Sequence, residues 1–236
     1  MARLVALCID AVDPPRLARF WAEVLGWDLD ETAATIRLAP TDDTSFEIVL
    51  RPVPGPKVGR NRIHLDLMTT SVEDRDDVIR RARAGGAQPC DIGQTGDEGH
   101  VVLADPEGNE LCVIDPDNGF LAGCPRLGAL SCDGSRALGI FWSRALGWPL
   151  VWDEGEETAI RDGAGSFITW GGGPELPKLG PARLHLDVAP SEGRDVDAEV
   201  ERLVALGATR LDLDAGPDGG VALADPDGNE LCVHDA

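Results

Sequence analysis

The sequence predicts an α+β fold of four βαβββ modules set in two similar halves, and three observations carry that class. First, RFWAEVLGW (Arg19 to Trp27) returns as IFWSRALGW (Ile140 to Trp148), and RIHLDL (Arg62 to Leu67) as RLHLDV (Arg183 to Val188), both at an offset of 121. Second, ADPEGNELCVID (Ala104 to Asp115) returns as ADPDGNELCVHD (Ala224 to Asp235) at an offset of 120. Third, apolar spacing within each half switches between a helical and a strand period, with glycine and proline between the segments. A repeat this long and this well registered is a duplication. The expected halves are residues 1–118 and 125–236, joined by 119–124.

The elements follow in order. RLVALCID reads as a strand, and Asp13 caps a helix with Pro14 just inside its start. Leu17, Phe20, Trp21, Val24 and Leu25 fall on one helix face, and Gly26 ends it. Short strands are expected at Trp27 to Leu29, Thr35 to Leu38 and Phe46 to Leu50. RPVPGPKVG then breaks the chain as a loop. RIHLDLM opens the next module as a strand, Glu73 to Ala84 forms a polar helix with Val78, Ile79 and Ala82 inward, and HVVLA and ELCVI flank a DPEGN turn.

Composition excludes several classes. Forty-two acidic residues against 21 basic ones give a net charge of −21, so a nucleic-acid partner is not expected. No apolar run is long enough to cross a bilayer, so no membrane partner is expected. The opening segment is broken by Asp10 and Asp13, unlike a secretory signal, so a cytoplasmic protein is expected. The six cysteines include no CxxC pair and read as free thiols. No P-loop, GxGxxG or GxSxG context appears.

The arrangement resembles the vicinal oxygen chelate superfamily, which includes glyoxalase I, bleomycin-resistance proteins and extradiol dioxygenases. The motifs that carry the likeness are DPPRLARFWAEVLGW, RIHLDL and ADPEGNELCV with their second copies, and they place the chain nearest the glyoxalase-like domain branch, in tandem form. The resemblance implies paired modules curled into incomplete barrel-like sheets, with a ligand held on the concave side. It fixes fold more than chemistry.

Strand alternation then separates the two faces. Ile63, Leu65, Leu67, Leu111, Val113, Phe46, Ile48 and Leu50 are expected in the core. The cleft candidates are Asp10, Glu47, Val49, His64, Asp66, Glu110 and Cys112 in the first half. In the second they are Asp133, Trp170, His185, Asp187, Glu230, Cys232 and His234. His64 and His185 match the family's ligand histidine, but the ligand glutamates fall on Cys112 or Cys232 and on Val49 or Trp170. The first-strand ligand falls on Ala6 or Cys8, with Ala129 or Ser131 as counterparts. Such a set cannot supply the hard octahedral donors a glyoxalase I metal needs.

Three sharper readings stand beside plainer ones. Glu47, His64 and Glu110 offer a shifted set for Zn, Mn, Ni or Fe, or else Glu110 and Glu230 serve the hairpin turn. Cys112 or Cys232 is a nucleophile with His64 or His185 as base, or else a small buried hydrophobe. Trp170 stacks on an aromatic or cationic ligand, or else packs in the core. His234 replaces Ile114 at an inward position and, with His185 and Glu230, offers a site in the second half.

The leading expectation is a protein that binds, sequesters or transforms a small organic molecule in a concave cleft without the usual metal tetrad and with no cofactor. The alternatives are a metal-dependent lyase, isomerase or dioxygenase, and an interaction protein that is an internal pseudo-dimer or a homodimer. No catalytic residue is assigned. Whether the first module pairs with the second or the fourth stays open on sequence alone.

Overall fold

The computed structural model describes residues 1–31, 35–93, 99–171, 180–191, 193–213 and 219–235. Four βαβββ modules follow one another along the chain. The first is β1 (Ala2–Ala11), α1 (Pro14–Leu25), β2 (Asp28–Asp30), β3 (Ile36–Ala39) and β4 (Glu47–Pro52). The second is β5 (Ile63–Leu67), α2 (Val72–Ala84), β6 (Gln88–Pro89), β7 (His100–Ala104) and β8 (Glu110–Ile114). The third is β9 (Leu127–Asp133), α3 (Arg136–Leu146), β10 (Leu150–Glu154), β11 (Glu157–Arg161) and β12 (Phe167–Gly171). The fourth is β13 (Leu184–Pro190), α4 (Val196–Leu206), β14 (Thr209–Arg210), β15 (Val221–Ala224) and β16 (Glu230–Val233).

Local chemistry sets the helix boundaries. The Asp13 side chain accepts from the Arg16 N–H at the start of α1, and Gly26 closes that helix in a left-handed turn at φ 76°. Ser71, Ser135 and Asp195 cap the other three helices in the same way. The apolar face read from the spacing is buried: Leu17, Phe20, Trp21, Val24 and Leu25 all lie in the core. Helix α2 starts at Val72, one residue earlier than expected, and Ile79 is only partly buried. Strands β6 and β14 have two residues each, too short for a periodicity to show.

The modules pair across the halves. One eight-stranded sheet runs β14-β15-β16-β13-β1-β4-β3-β2, so the first module joins the fourth. The other runs β10-β11-β12-β9-β5-β8-β7-β6, joining the second module to the third. The central seams are antiparallel, β1 against β13 and β5 against β9. The α+β class and the curled, unclosed sheets hold as the sequence reads.

Helices and hairpins link the modules that the sheets keep apart. Arg81 on α2 donates to the Glu23 and Val24 carbonyls at the end of α1. Arg202 on α4 does the same to Arg144 and Ala145 at the end of α3. The repeated turn explains itself here. Trp21 Nε1 donates to Asp105 Oδ2 at 3.2 Å, and Trp142 Nε1 to Asp225 Oδ2 at 3.3 Å. Glu107 of the first turn accepts from the Val12 and Asp13 N–H groups, both at 2.8 Å, just before α1. Each half is tied through its helices and hairpins, and the two halves are tied through the sheets.

Candidate functional site

Each sheet presents one concave hollow, and the same three residue types stand in both. On β13 and β16, His185, Asp187 and Cys232 bring one donor atom each within 4.8 Å of one another. On β5 and β8, His64, Asp66 and Cys112 do the same. In both, the imidazole Nε2 lies 3.4 Å from a carboxylate Oδ1 two residues on. Alternation on one strand puts the His and Asp on the same face, and the parallel neighbour brings in the cysteine opposite Asp187 or Asp66.

What surrounds these triplets differs. In the β1–β13 sheet, the Arg51 guanidinium enters the triplet. Its Nη2 lies 2.8 Å from Asp187 Oδ2, its Nη1 3.2 Å from His185 Nε2, and its Nη2 3.3 Å from His234 Nε2. His234 Nδ1 meets the Gly219 carbonyl at 2.5 Å, which makes Nδ1 a donor. Cys8 and Asp10 on β1 also approach His185. Burial raises both the Cys8 thiol and the Asp10 carboxyl above their ordinary values. A cavity of about 540 Å³ opens beside this group, with Arg3, Glu47, Val49, Arg51, Asp187 and His234 among its walls.

Cys232 is 5% exposed. Burial pushes its thiol up, but hydrogen bonds from His185 and His234 outweigh that and bring it down to about 7. His234, hydrogen-bonded first to Asp187 and then to Cys232, is raised to about 9. In the other sheet Cys112 has neither cation beside it. Burial and then the Asp66 charge push its thiol well above the ordinary thiol range.

The β5–β9 hollow has a more apolar lining. A cavity of about 370 Å³ is lined by Ile114, Phe120, Leu121, Trp152 and Ala159, with Asp66, Ser131 and Thr169 on its floor. Ser131 Oγ donates to Asp66 Oδ2 at 2.6 Å, and Thr169 Oγ1 to Ser131 Oγ at 3.1 Å. Phe120 packs on Phe167 with ring centroids 4.6 Å apart. Burial raises the Asp66 carboxyl above the usual range.

Several expected residues sit elsewhere. Glu47 lies in the β1–β13 sheet, paired with Arg37 at 3.3 Å, whereas His64 and Glu110 belong to the other sheet. The proposed Glu47, His64 and Glu110 ligand set is therefore not assembled. Glu110 is buried at the start of β8, where Lys57 Nζ holds it at 2.6 Å. Glu230 takes the matching place on β16, beside the Ala182 N–H rather than with His185 and His234. Asp133, half-buried and raised by burial, stands opposite Gly171.

Trp170 packs in the core and also stands among the residues that line the β5–β9 cavity. The register pairs Ala6 with Glu47 and Ala129 with Phe167, so Thr169, not Trp170, is the counterpart of Val49. The indole is 2% exposed in the main core, against α3, where a Cβ at Gly139 would come 3.1 Å from its Cε3. Arg51 went unassigned because the fourth strand was ended at Leu50. Continuing the alternation Glu47, Val49, Arg51 would have found it.

The glyoxalase-like domain family matches residues 6–114 and 129–234. The chain belongs to that family. As a tandem member of the vicinal oxygen chelate superfamily, it is similar over its whole length to glyoxalase I from Zea mays. The TM-score is 0.67 at 16% identity, covering 100% of this chain and 92% of that one. A putative dioxygenase from Bacillus subtilis subsp. subtilis str. 168 aligns at TM-score 0.60 and 15% identity, covering 99% and 84%. At such identities the likeness is one of fold. No curated protein matches the chain.

Glyoxalase-like proteins are associated with a divalent ion, and the two hollows fit one differently. In the β1–β13 sheet a permanent cation, Arg51, already takes hydrogen-bonding positions on Asp187, His185 and His234, so a metal there would compete with a guanidinium. That donor set does not fit. In the β5–β9 sheet Gly171 takes the strand position of Arg51, so no guanidinium stands on Asp66; the Oδ1 atoms of Asp66 and Asp187 are alike buried without a hydrogen bond among the described residues. His64, Asp66 and Cys112 there fit a single small divalent ion.

Proposed function

We propose that this glyoxalase-like protein binds a small organic molecule in the β5–β9 hollow, without the four-ligand metal set of glyoxalase I. The observation that carries this reading is the wall of that hollow. Apolar and aromatic side chains enclose a floor of three convergent polar groups, Asp66, Ser131 and Thr169. Pockets for small ligands have this composition and this size. Trp152, 42% exposed at the rim, gives the site an optical reporter. Native mass spectrometry of the chain purified from its own host tests the reading directly. A retained organic mass that is lost in Phe120→Ala and Phe167→Ala supports it. A chain with no retained mass, and no Trp152 quenching by 8-anilinonaphthalene sulfonate, overturns it.

A second reading rests on the buried Asp66 Oδ1, which has no hydrogen bond among the described residues and faces His64 Nε2 at 3.4 Å. His64, Asp66 and Cys112 would hold one divalent cation, which when bound would polarise an oxygen of the ligand. Ser131 would then position Asp66 through its 2.6 Å hydrogen bond. Elemental analysis separates the two: about one Zn, Mn, Ni or Fe per chain, lost in Asp66→Asn but kept in Asp187→Asn, favours the metal.

A further inference from the structure

The duplication supplies its own comparison. Both hollows contain the same His, Asp and Cys, yet only one adds two cationic side chains to them. Arg51 and His234 stand in the β1–β13 hollow, where the other has Gly171 and Ile114. Among the described residues, the charged and titratable groups around Cys232 are His185 and Asp187 from β13, Arg51 from β4 and His234 from the end of its own strand, with Cys8 and Asp10 of β1 on the far side of His185.

A second observation points to a ligand. The Arg51 side chain is nine-tenths buried and lines the 540 Å³ cavity. Its Nη2 donates to Asp187 Oδ2, but its Nε–H has no hydrogen-bond partner among the described residues. A buried charged donor left without an acceptor is costly. Arg51 and His234 both line that cavity, so an oxygen anion bound there would meet their positive charge.

We propose that the β1–β13 hollow is a metal-free site at which Cys232 adds covalently to a small α,β-unsaturated carbonyl compound, with Arg51 and His234 taking up the negative charge that develops on oxygen. The Cys232 sulfur forms a bond to the β-carbon while the C=C π pair moves through the carbonyl to its oxygen, giving an enolate. Arg51 donates to that oxygen. The imidazolium of His234 delivers a proton to the α-carbon and regains one from solvent, so the sum is thiol plus enone giving thioether, with no leaving group and no oxidant. The acidity of the Cys232 thiol supports this step, because the thiolate is the nucleophile.

The test uses the full chain, dialysed against EDTA, exposed to methyl vinyl ketone and followed by peptide mass mapping. Cys232 is expected to acquire the adduct at least about tenfold faster than Cys112 at neutral pH. The rate should rise with pH around a midpoint of about 7. In His234→Ile, which copies Ile114, and in Arg51→Gln, the Cys232 rate should fall and its midpoint move up. In denaturant the two cysteines should react alike, which shows that the fold makes the difference. The proposal is overturned if folded chain modifies Cys112 as fast as Cys232, or if His234→Ile leaves the Cys232 rate and midpoint unchanged. Should Arg51→Gln fail to fold, the His234→Ile arm decides by itself.

Discussion

Arg51 Nη2 and Asp187 Oδ2 lie 2.8 Å apart, although 136 residues separate them in the chain. Both side chains are at least nine-tenths buried, at 10% and 4% exposure. Neither charge has bulk water to fall back on, so removing one partner strands the other. Arg51→Met should destabilise the fold by roughly 3–5 kcal/mol, and Arg51→Met with Asp187→Asn should recover a large part of that. Urea unfolding of the two singles and the double gives the coupling. Additive losses would mean that the pair does not interact.

His234 gives stability a pH dependence of known sign. The fold favours its protonated form, chiefly through Asp187, and raises it from 6.5 to about 9. Its contribution is therefore complete below the ordinary imidazole range and lost as pH rises through about 9. The stability difference between the parent chain and His234→Asn should shrink over that window. Denaturant midpoints across the alkaline range measure it, and a difference that grows with pH would contradict the assignment.

Gly139, on α3, sits where β11 and β12 come closest to the helix. An added Cβ would collide with the Thr158 side chain and press on Trp170. Gly139→Ala should cost about 1–3 kcal/mol, the usual penalty for overpacking. Thr158→Ala should relieve much of it, since Thr158 Oγ1 is the nearest obstacle and has no hydrogen-bond partner of its own to lose among the described residues. Thermal unfolding of the single and double variants shows whether the rescue occurs.

Asp105 accepts four hydrogen bonds: from the Glu107 and Asn109 N–H groups on Oδ1, and from Trp21 Nε1 and Asn109 Nδ2 on Oδ2. An amide in its place turns one acceptor into a donor facing other donors. Asp105→Asn should therefore cost roughly 2–3 kcal/mol, and Asp225→Asn a similar amount in the second half. Because Trp21 belongs to the first module and Asp105 to the second, the loss should appear as a lower global unfolding midpoint rather than local fraying.

Most of the fold was legible in the sequence because local chemistry specifies it. Caps, helix faces and turn residues gave the modules in order, and alternation put His64 with Asp66, and His185 with Asp187, on one face of their strands. Partner choice was not legible. Strands β1 and β5 can each pair with either remaining module, and no periodicity chooses between them. The counterpart of Val49 was misread as Trp170 for a simpler reason. The offset of 121 that aligns Phe46 with Phe167 in sequence is one residue too long in space, since Glu47 and Phe167 hold equivalent places in the sheets. A one-residue slip sends every side chain of a strand to the other face. His234 was visible as the substitution of Ile114, but Arg51, which gives it a role, lay hidden in a segment read as loop.

The crossed pairing bears on how two unlike hollows could arise at all. A half-length chain that kept β1 and β5 apart, as they are here, would leave each with a bare edge, and a second copy docked around a twofold axis would cover both. Every mutation in that dimer would have struck both hollows at once. Fusing the copies into one polypeptide broke the symmetry, and an arginine and a histidine could then accumulate on one side while phenylalanines filled the other.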